Sequence, residues 1–274
     1  MRHDRTTRAL LPSAVPASAR VVAQANGVLS GLRAAVEVAR QLGVRARPLA
    51  RDGDPVAPGS AVLRLEGDAR AILAGERTLL NFLMHLSGVA TATARAVRRA
   101  HAGGATLSVY ATRKTLPGLR DLEKAAVVDG GGAPHRRDLS DALLLKNNHL
   151  ALVPLPEAVR RVRRSVGGRE PIEVEVRDAR AALSALRAGA TALLIDNASP
   201  ARVRRILRRV EATGRRGALW VEVSGGITPD TLARYRSTGA DAASLGSLTH
   251  SAPALPFHLL LTPARPRRAR PPTG

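Results

Sequence analysis

Between Thr106 and Gly246 the chain alternates short, nearly continuous apolar runs with amphipathic segments, and this alternation limits the folds open to it. The runs at 106–113, 142–149, 172–176, 192–196, 219–224 and 242–246 read as strands. The segments between them, 119–128, 156–165, 179–188, 200–212 and 229–238, read as helices. Strands with little polar alternation are those covered by helices in a parallel sheet. No glycine-rich dinucleotide fingerprint follows any of them, which argues against an open nucleotide-binding sheet. The pattern predicts a TIM-like α/β barrel at 103–262.

Residues 1–102 read as a small α/β domain with its connecting helices. A strand is expected at 20–25, an amphipathic helix at 29–42, and a turn at 52–60 leading into a strand at 61–65. The Gly-Asp-x-Val-x-x-Gly pattern at 53–59 also occurs in biotinyl and lipoyl carriers, but no lysine sits at a hairpin tip here to be modified. Residues 76–102 predict one long helix or two joined ones, with Leu79, Leu80, Leu83 and Leu86 as the apolar stripe and a break at Gly88. The last stretch, 263–274, is expected to be a disordered basic tail.

Composition narrows the function. Only five aromatic residues are present, so the core must be packed from aliphatic side chains. With no cysteine, disulfides, thiolate metal sites and thiol nucleophiles are excluded. No run of eighteen apolar residues suggests a membrane span, and prolines interrupt the apolar patch at 9–15, so a cytoplasmic address is expected. The net charge of +21 invites a nucleic-acid reading, yet aromatics are not interleaved with the basic residues as stacking platforms require. Forty of the 43 basic residues are arginine. The three lysines, Lys114, Lys124 and Lys146, are therefore candidates for work that needs a compact ammonium.

In a barrel the chemistry belongs at the carboxyl ends of the strands. Those ends carry Arg113 and Lys114, Lys146, Glu175, Asp196, Ser224-Gly225-Gly226, and Gly246-Ser247. The loop at 130–137 is glycine-rich and then basic, with His135 and Arg136. Cations alone would suggest anion binding. Cations with Glu175 and Asp196 among them suggest a polyanionic substrate, a metal ion and positive charge that develops during reaction. Glu173 shares a strand face with Glu175, so one of the two is expected to lie outside the reacting layer.

Several motifs in order resemble the quinolinate phosphoribosyltransferase family, over roughly residues 4–261. They are Gly75-Glu-Arg-Thr-Leu-Leu-Asn-Phe-Leu83, Leu86-Ser-Gly-Val-Ala-Thr91, Thr112-Arg-Lys-Thr-Leu-Pro-Gly-Leu119, the 130–136 loop, Ile172-Glu-Val-Glu-Val176, Ile195-Asp-Asn197, Val223-Ser-Gly-Gly-Ile227 and Gly246-Ser-Leu-Thr-His-Ser251. The resemblance implies a pentosyltransferase of pyridine nucleotide biosynthesis. Such an enzyme joins quinolinate to phosphoribosyl pyrophosphate and releases CO2 and pyrophosphate. It also implies a homodimer, or a multiple of dimers, with Arg77 acting across the interface. Arg113, His135, Arg136 and Lys146 would surround the quinolinate carboxylates, and Lys114 and Lys146 would reach toward phosphoribosyl pyrophosphate. Glu175 and Asp196 would face the ribose and its Mg2+, directly or through water. Ser224, Gly225, Gly226, Gly246, Ser247 and His250 would hold phosphate.

The chain departs from that family in particular places. It begins inside what looks like the family's N-terminal domain, so the family's first helix is expected to be missing or to lie upstream. Ala111 replaces the usual acid before Thr-Arg-Lys, Pro134 the usual asparagine, Asp138 the usual glycine, and Asn147 the usual aspartate after Lys146. These changes keep two other readings open: a related transferase acting on a different pyridine carboxylate, and a non-catalytic basic barrel that binds nucleic acid.

Overall fold

The computed structural model describes residues 4–168 and 170–263, which fall into two compact units. The first comprises residues 4–91 and 253–263, the second 92–252. A four-stranded antiparallel sheet organises the first unit, in the order β12-β1-β5-β3. These are β1 (Pro16–Ala23), β3 (Arg45–Pro48), β5 (Ala61–Asp68) and β12 (Phe257–Pro263), while β2 (Gly27–Val28) and β4 (Pro55–Val56) form a separate pair. Helices α1 (Arg5–Leu10), α2 (Leu32–Gln41) and the first part of α3 (Ala69–His101) complete it. Its core is aliphatic, as the scarcity of aromatics demands, with Leu29, Val62, Leu63 and Leu83 fully buried.

Besides shifted element ends, such as β1 at Pro16–Ala23 where a strand was expected at 20–25, the first unit differs from the sequence reading in two larger details. Residues 253–263 belong to the first unit rather than ending the barrel domain, and β12 (Phe257–Pro263) pairs with β1, so Pro263 lies in a strand; the rest of the expected tail falls outside the described residues. Helix α3 also runs without a break from Ala69 to His101. Gly88 is a point of close approach: a Cβ there would collide with the Pro253 carbonyl and lie 3.0 Å from Ala254 Cα. Its missing side chain makes room for neighbouring backbone.

The second unit is built on six parallel strands in the order β6-β11-β10-β9-β8-β7, the barrel-like sheet the alternation predicts. They are β6 (Ser108–Tyr110), β7 (Leu143–Leu145), β8 (Ile172–Val176), β9 (Ala192–Asp196), β10 (Trp220–Ser224) and β11 (Ala242–Ser244). Strands β6 and β7 are the edges, and Ala133 adds one parallel bridge to β6 at Tyr110. Between strands run α4 (Arg120–Asp129), α5 (Asn147–Leu150), α6 (Leu155–Ser165), α7 (Ala179–Ala188) and α8 (Pro200–Glu211), and α9 (Ser247–His250) follows β11. The helix expected at 229–238 is only a 3-10 turn at Leu232–Tyr235.

Local chemistry sets these boundaries. Asp178 caps α7 by accepting the Ala181 N–H at 2.8 Å, and Gly189 ends it in the left-handed region at φ 103°. Ser199 caps α8, with Pro200 in its first turn. Alternation then assigns the faces. Val174, Val176, Leu193, Ile195, Val221 and Val223 turn toward the helices and form the core. Glu175, Asp196, Glu222 and Ser224 occupy the other face and line a cavity.

Candidate active site

That cavity, about 420 Å³, opens among the carboxyl ends of the strands. Register sets its levels: Glu175 pairs with Leu194, Leu194 with Glu222, and Asp196 with Ser224. Arg113, Lys114, Arg136 and Lys146 supply its cations, His135 an imidazole, and Glu175, Asp196 and Glu222 its carboxylates. Ser224, Gly225 and Gly226 close one side.

Each charged group is held by identifiable partners. Glu175 accepts the Asn147 side-chain amide at 2.5 Å and the Asn147 backbone N–H at 3.4 Å. Asp196 accepts the side-chain amide of Asn197 at 2.7 Å. Asn197 itself is left-handed, at φ 50°, and crosses over Gly225. A Cβ on Gly225, whose φ is 90°, would lie 2.6 Å from Asn197 N, so only glycine fits there. Lys114 and Lys146 are exposed at the rim. The Lys114 carbonyl accepts the Thr249 hydroxyl at 2.7 Å, which ties its loop to α9. Gly246 and His250 stand beside Lys114: a Cβ on Gly246 would sit 3.0 Å from Lys114 Cδ and 3.2 Å from His250 Nε2. Ser247 Oγ is buried without a hydrogen-bond partner. Gly246, Ser247 and His250 do not line the cavity itself. Arg77 is exposed on α3, in the other unit.

The 133–138 loop is fastened from several directions. Lys124, buried on α4, donates its ammonium to the Pro134 carbonyl. Burial, and then the nearby Arg120, push that lysine's pKa below its ordinary value. The third lysine is therefore structural: a point-like ammonium reaching one carbonyl in a closed space. Asp138 accepts the backbone N–H and hydroxyl of Ser140 at 2.7 and 2.6 Å, a turn-forming role. Ala111, fully buried, donates its N–H to the Ala133 carbonyl at 2.9 Å. Arg136 is buried; desolvation first, and Arg113 second, lower its pKa from the usual guanidinium value.

Sequence reading counts Glu222 among the polar strand endings but gives neither it nor Glu173 a role. Glu222 is 1% exposed, accepts the Ser244 hydroxyl, and lies 3.2 Å from His135 Nε2. The available signal was alternation, which puts Glu222 on the face of Ser224. Glu173 lies one pleat below Glu175, with a buried carboxylate oxygen that has no hydrogen-bond partner. Burial, then the neighbouring Glu222, raise its pKa to about 7. Among the described residues His135, Glu173 and Glu222 form the one His/acid cluster close enough to share an ion.

The family description "Quinolinate phosphoribosyl transferase, C-terminal domain" matches residues 89–260, and the corresponding N-terminal domain matches residues 4–87. The chain belongs to the quinolinate phosphoribosyl transferase family. It is 43% identical, over 91% of its length and 90% of the relative's, to the probable nicotinate-nucleotide pyrophosphorylase [carboxylating] of Methanothermobacter thermautotrophicus. To the human nicotinate-nucleotide pyrophosphorylase [carboxylating] it is 37% identical, over 92% of this chain and 85% of that one. The solved structure of NadC from Streptococcus pyogenes superposes with a TM-score of 0.86 at 36% identity, covering 96% of this chain and 92% of the other. No described helix is long and apolar enough to cross a membrane.

Proposed function

We propose that this chain is a cytoplasmic pentosyltransferase of de novo NAD biosynthesis. It transfers phosphoribosyl from phosphoribosyl pyrophosphate to quinolinate and releases pyrophosphate and CO2, leaving nicotinate mononucleotide. The observation that carries this reading is the cationic cavity of Arg113, Lys114, Arg136 and Lys146 with Glu175 and Asp196 set within it. Family membership supports it.

The roles follow from charge. Arg113 and Arg136 pair with the two carboxylates of the pyridine acid and orient its ring nitrogen toward the sugar. Lys114 and Lys146, at the rim, stabilise the phosphates as pyrophosphate leaves. Glu175 and Asp196 face the ribose, where carboxylates stabilise the positive charge that builds as the anomeric carbon–oxygen bond breaks. The ring nitrogen then bonds to that carbon and becomes cationic. The adjacent carbon–carboxylate bond breaks with its electron pair retained by the ring, CO2 departs, and a proton takes its place. The Ser224–Gly226 turn holds the remaining phosphate through backbone N–H groups, with Gly246, Ser247 and His250 beside Lys114.

Glu175 and Asp196 fit Mg2+, directly or through water: both are hard oxygen donors, on adjacent strands, beside the place a polyphosphate would occupy. Bound there, the ion supplies charge neutralisation for the leaving pyrophosphate. Arg77, exposed on α3, completes a second subunit's cavity in a homodimer or multiple of dimers.

A substrate panel tests this reading. Quinolinate should yield nicotinate mononucleotide with one CO2 per turnover, and nicotinate should be a far poorer substrate. Preference for nicotinate, or for another pyridine acid, would move the chain to the related-transferase reading.

A further inference from the structure

The structure assigns Glu222 a positioning role, exerted through His135 on Arg136, in recognition of the pyridine acid; this rests on the function proposed above. A carboxylate as buried as Glu222 is costly unless its lone pairs are engaged. One oxygen accepts the Ser244 hydroxyl, and the other faces His135 Nε2 at 3.2 Å. The opposite ring nitrogen, Nδ1, accepts the backbone N–H of Arg136 at 2.6 Å. An imidazole that accepts at Nδ1 carries its proton on Nε2, the atom turned toward Glu222. One ring nitrogen is thus engaged by the 135–136 peptide, and the other faces a buried carboxylate. The ring is a strut between β10 and the 135–136 peptide, braced edge-on by Tyr110 at a centroid distance of 5.7 Å.

The strut sets the aim of Arg136. His135 has φ 54°, a conformation that non-glycine residues keep only when their surroundings enforce it. The Arg136 guanidinium has little other support, with Nη1 at a long 3.4 Å from the Ala142 carbonyl. Its direction into the cavity is thus inherited from the peptide that His135 and Glu222 hold.

The test uses the full chain in two measurements. In a nitrogen-15 histidine spectrum, with His135 assigned by its loss in His135→Asn, the wild-type ring should be protonated at Nε2 and bare at Nδ1. The Nε2 proton should lose its protection in Glu222→Gln. In steady-state assays Glu222→Gln should raise the quinolinate KM by about tenfold or more and leave the phosphoribosyl pyrophosphate KM within about twofold. Ser244→Ala, which keeps the carboxylate, should shift the quinolinate KM in the same direction by less, and it serves if Glu222→Gln fails to fold. A ring protonated at Nδ1 overturns the proposal, as does a variant in which both KM values rise together or only kcat falls. If the wild type converts no quinolinate, the functional reading fails, while the spectrum still decides whether Glu222 holds His135.

Discussion

Asn147 donates its side-chain amide to Glu175 at 2.5 Å, so the residue that follows Lys146 orients a carboxylate of the cavity. Asn147→Ala should remove that hydrogen bond without emptying the core. A bond to a charged group contributes about 1.5–3 kcal/mol. The expected outcome is a fall in kcat/KM of about tenfold or more, with thermal stability lowered by no more than that amount, read by steady-state kinetics and calorimetry. Unchanged kinetics would mean that Glu175 is held by something else.

Lys124 offers a second test. Its buried ammonium reaches the Pro134 carbonyl, so Lys124→Met should leave that carbonyl without its donor, destabilise the fold by about 1–3 kcal/mol and raise the quinolinate KM. Lys124→Arg should not rescue either property, because a planar guanidinium does not fit where a compact ammonium does. Denaturant unfolding and kinetics on both variants check this, and full activity in the arginine variant would contradict it.

Glu173 makes stability depend on pH. Its folded pKa, about 7, lies above the ordinary 4.5, so the folded state binds the proton more tightly than the unfolded state. The associated stability is complete below about pH 4.5 and is lost as pH rises through about 7. Glu173→Gln should flatten that slope and be more stable than wild type at pH 8, by on the order of a few kcal/mol at most. Urea unfolding at pH 5 and pH 8 measures it. Parallel wild-type and variant curves would contradict the assignment.

Gly225 should tolerate no side chain. Gly225→Ala would force a Cβ against Asn197 at a φ of 90°, costing about 1–3 kcal/mol and displacing Asn197 from Asp196. Loss of activity should accompany the lower melting temperature. Wild-type behaviour in both would show that the turn can rearrange.

Where local pattern dominates, the sequence was readable to the residue: β8, α7 and β9 begin and end where periodicity and caps place them. Some misses were local, such as the helix expected at 229–238 and the strand read through 146–149, where α5 begins; the larger ones were long-range. Nothing near Phe257 announces that it pairs with Ala23, more than two hundred residues earlier, so β12 was assigned to the wrong unit. Gly88 carries a helix-breaking residue type but serves close packing against residues 253–254, again a distant partner. Most of the cavity's charges stood at strand ends and were found there. Glu222 was seen at a strand ending but given no role, because it sits between two valines and its partner is a histidine in a loop 87 positions earlier.

The most direct test of the account is a mass-detected assay of the purified chain with quinolinate, phosphoribosyl pyrophosphate and Mg2+, run beside Glu175→Ala. The account predicts nicotinate mononucleotide from the wild type and a rate lower by two or more orders of magnitude, about 3 kcal/mol in transition-state energy, in the variant. Equal rates in the two proteins, or no product from a wild type that binds both substrates, would contradict it.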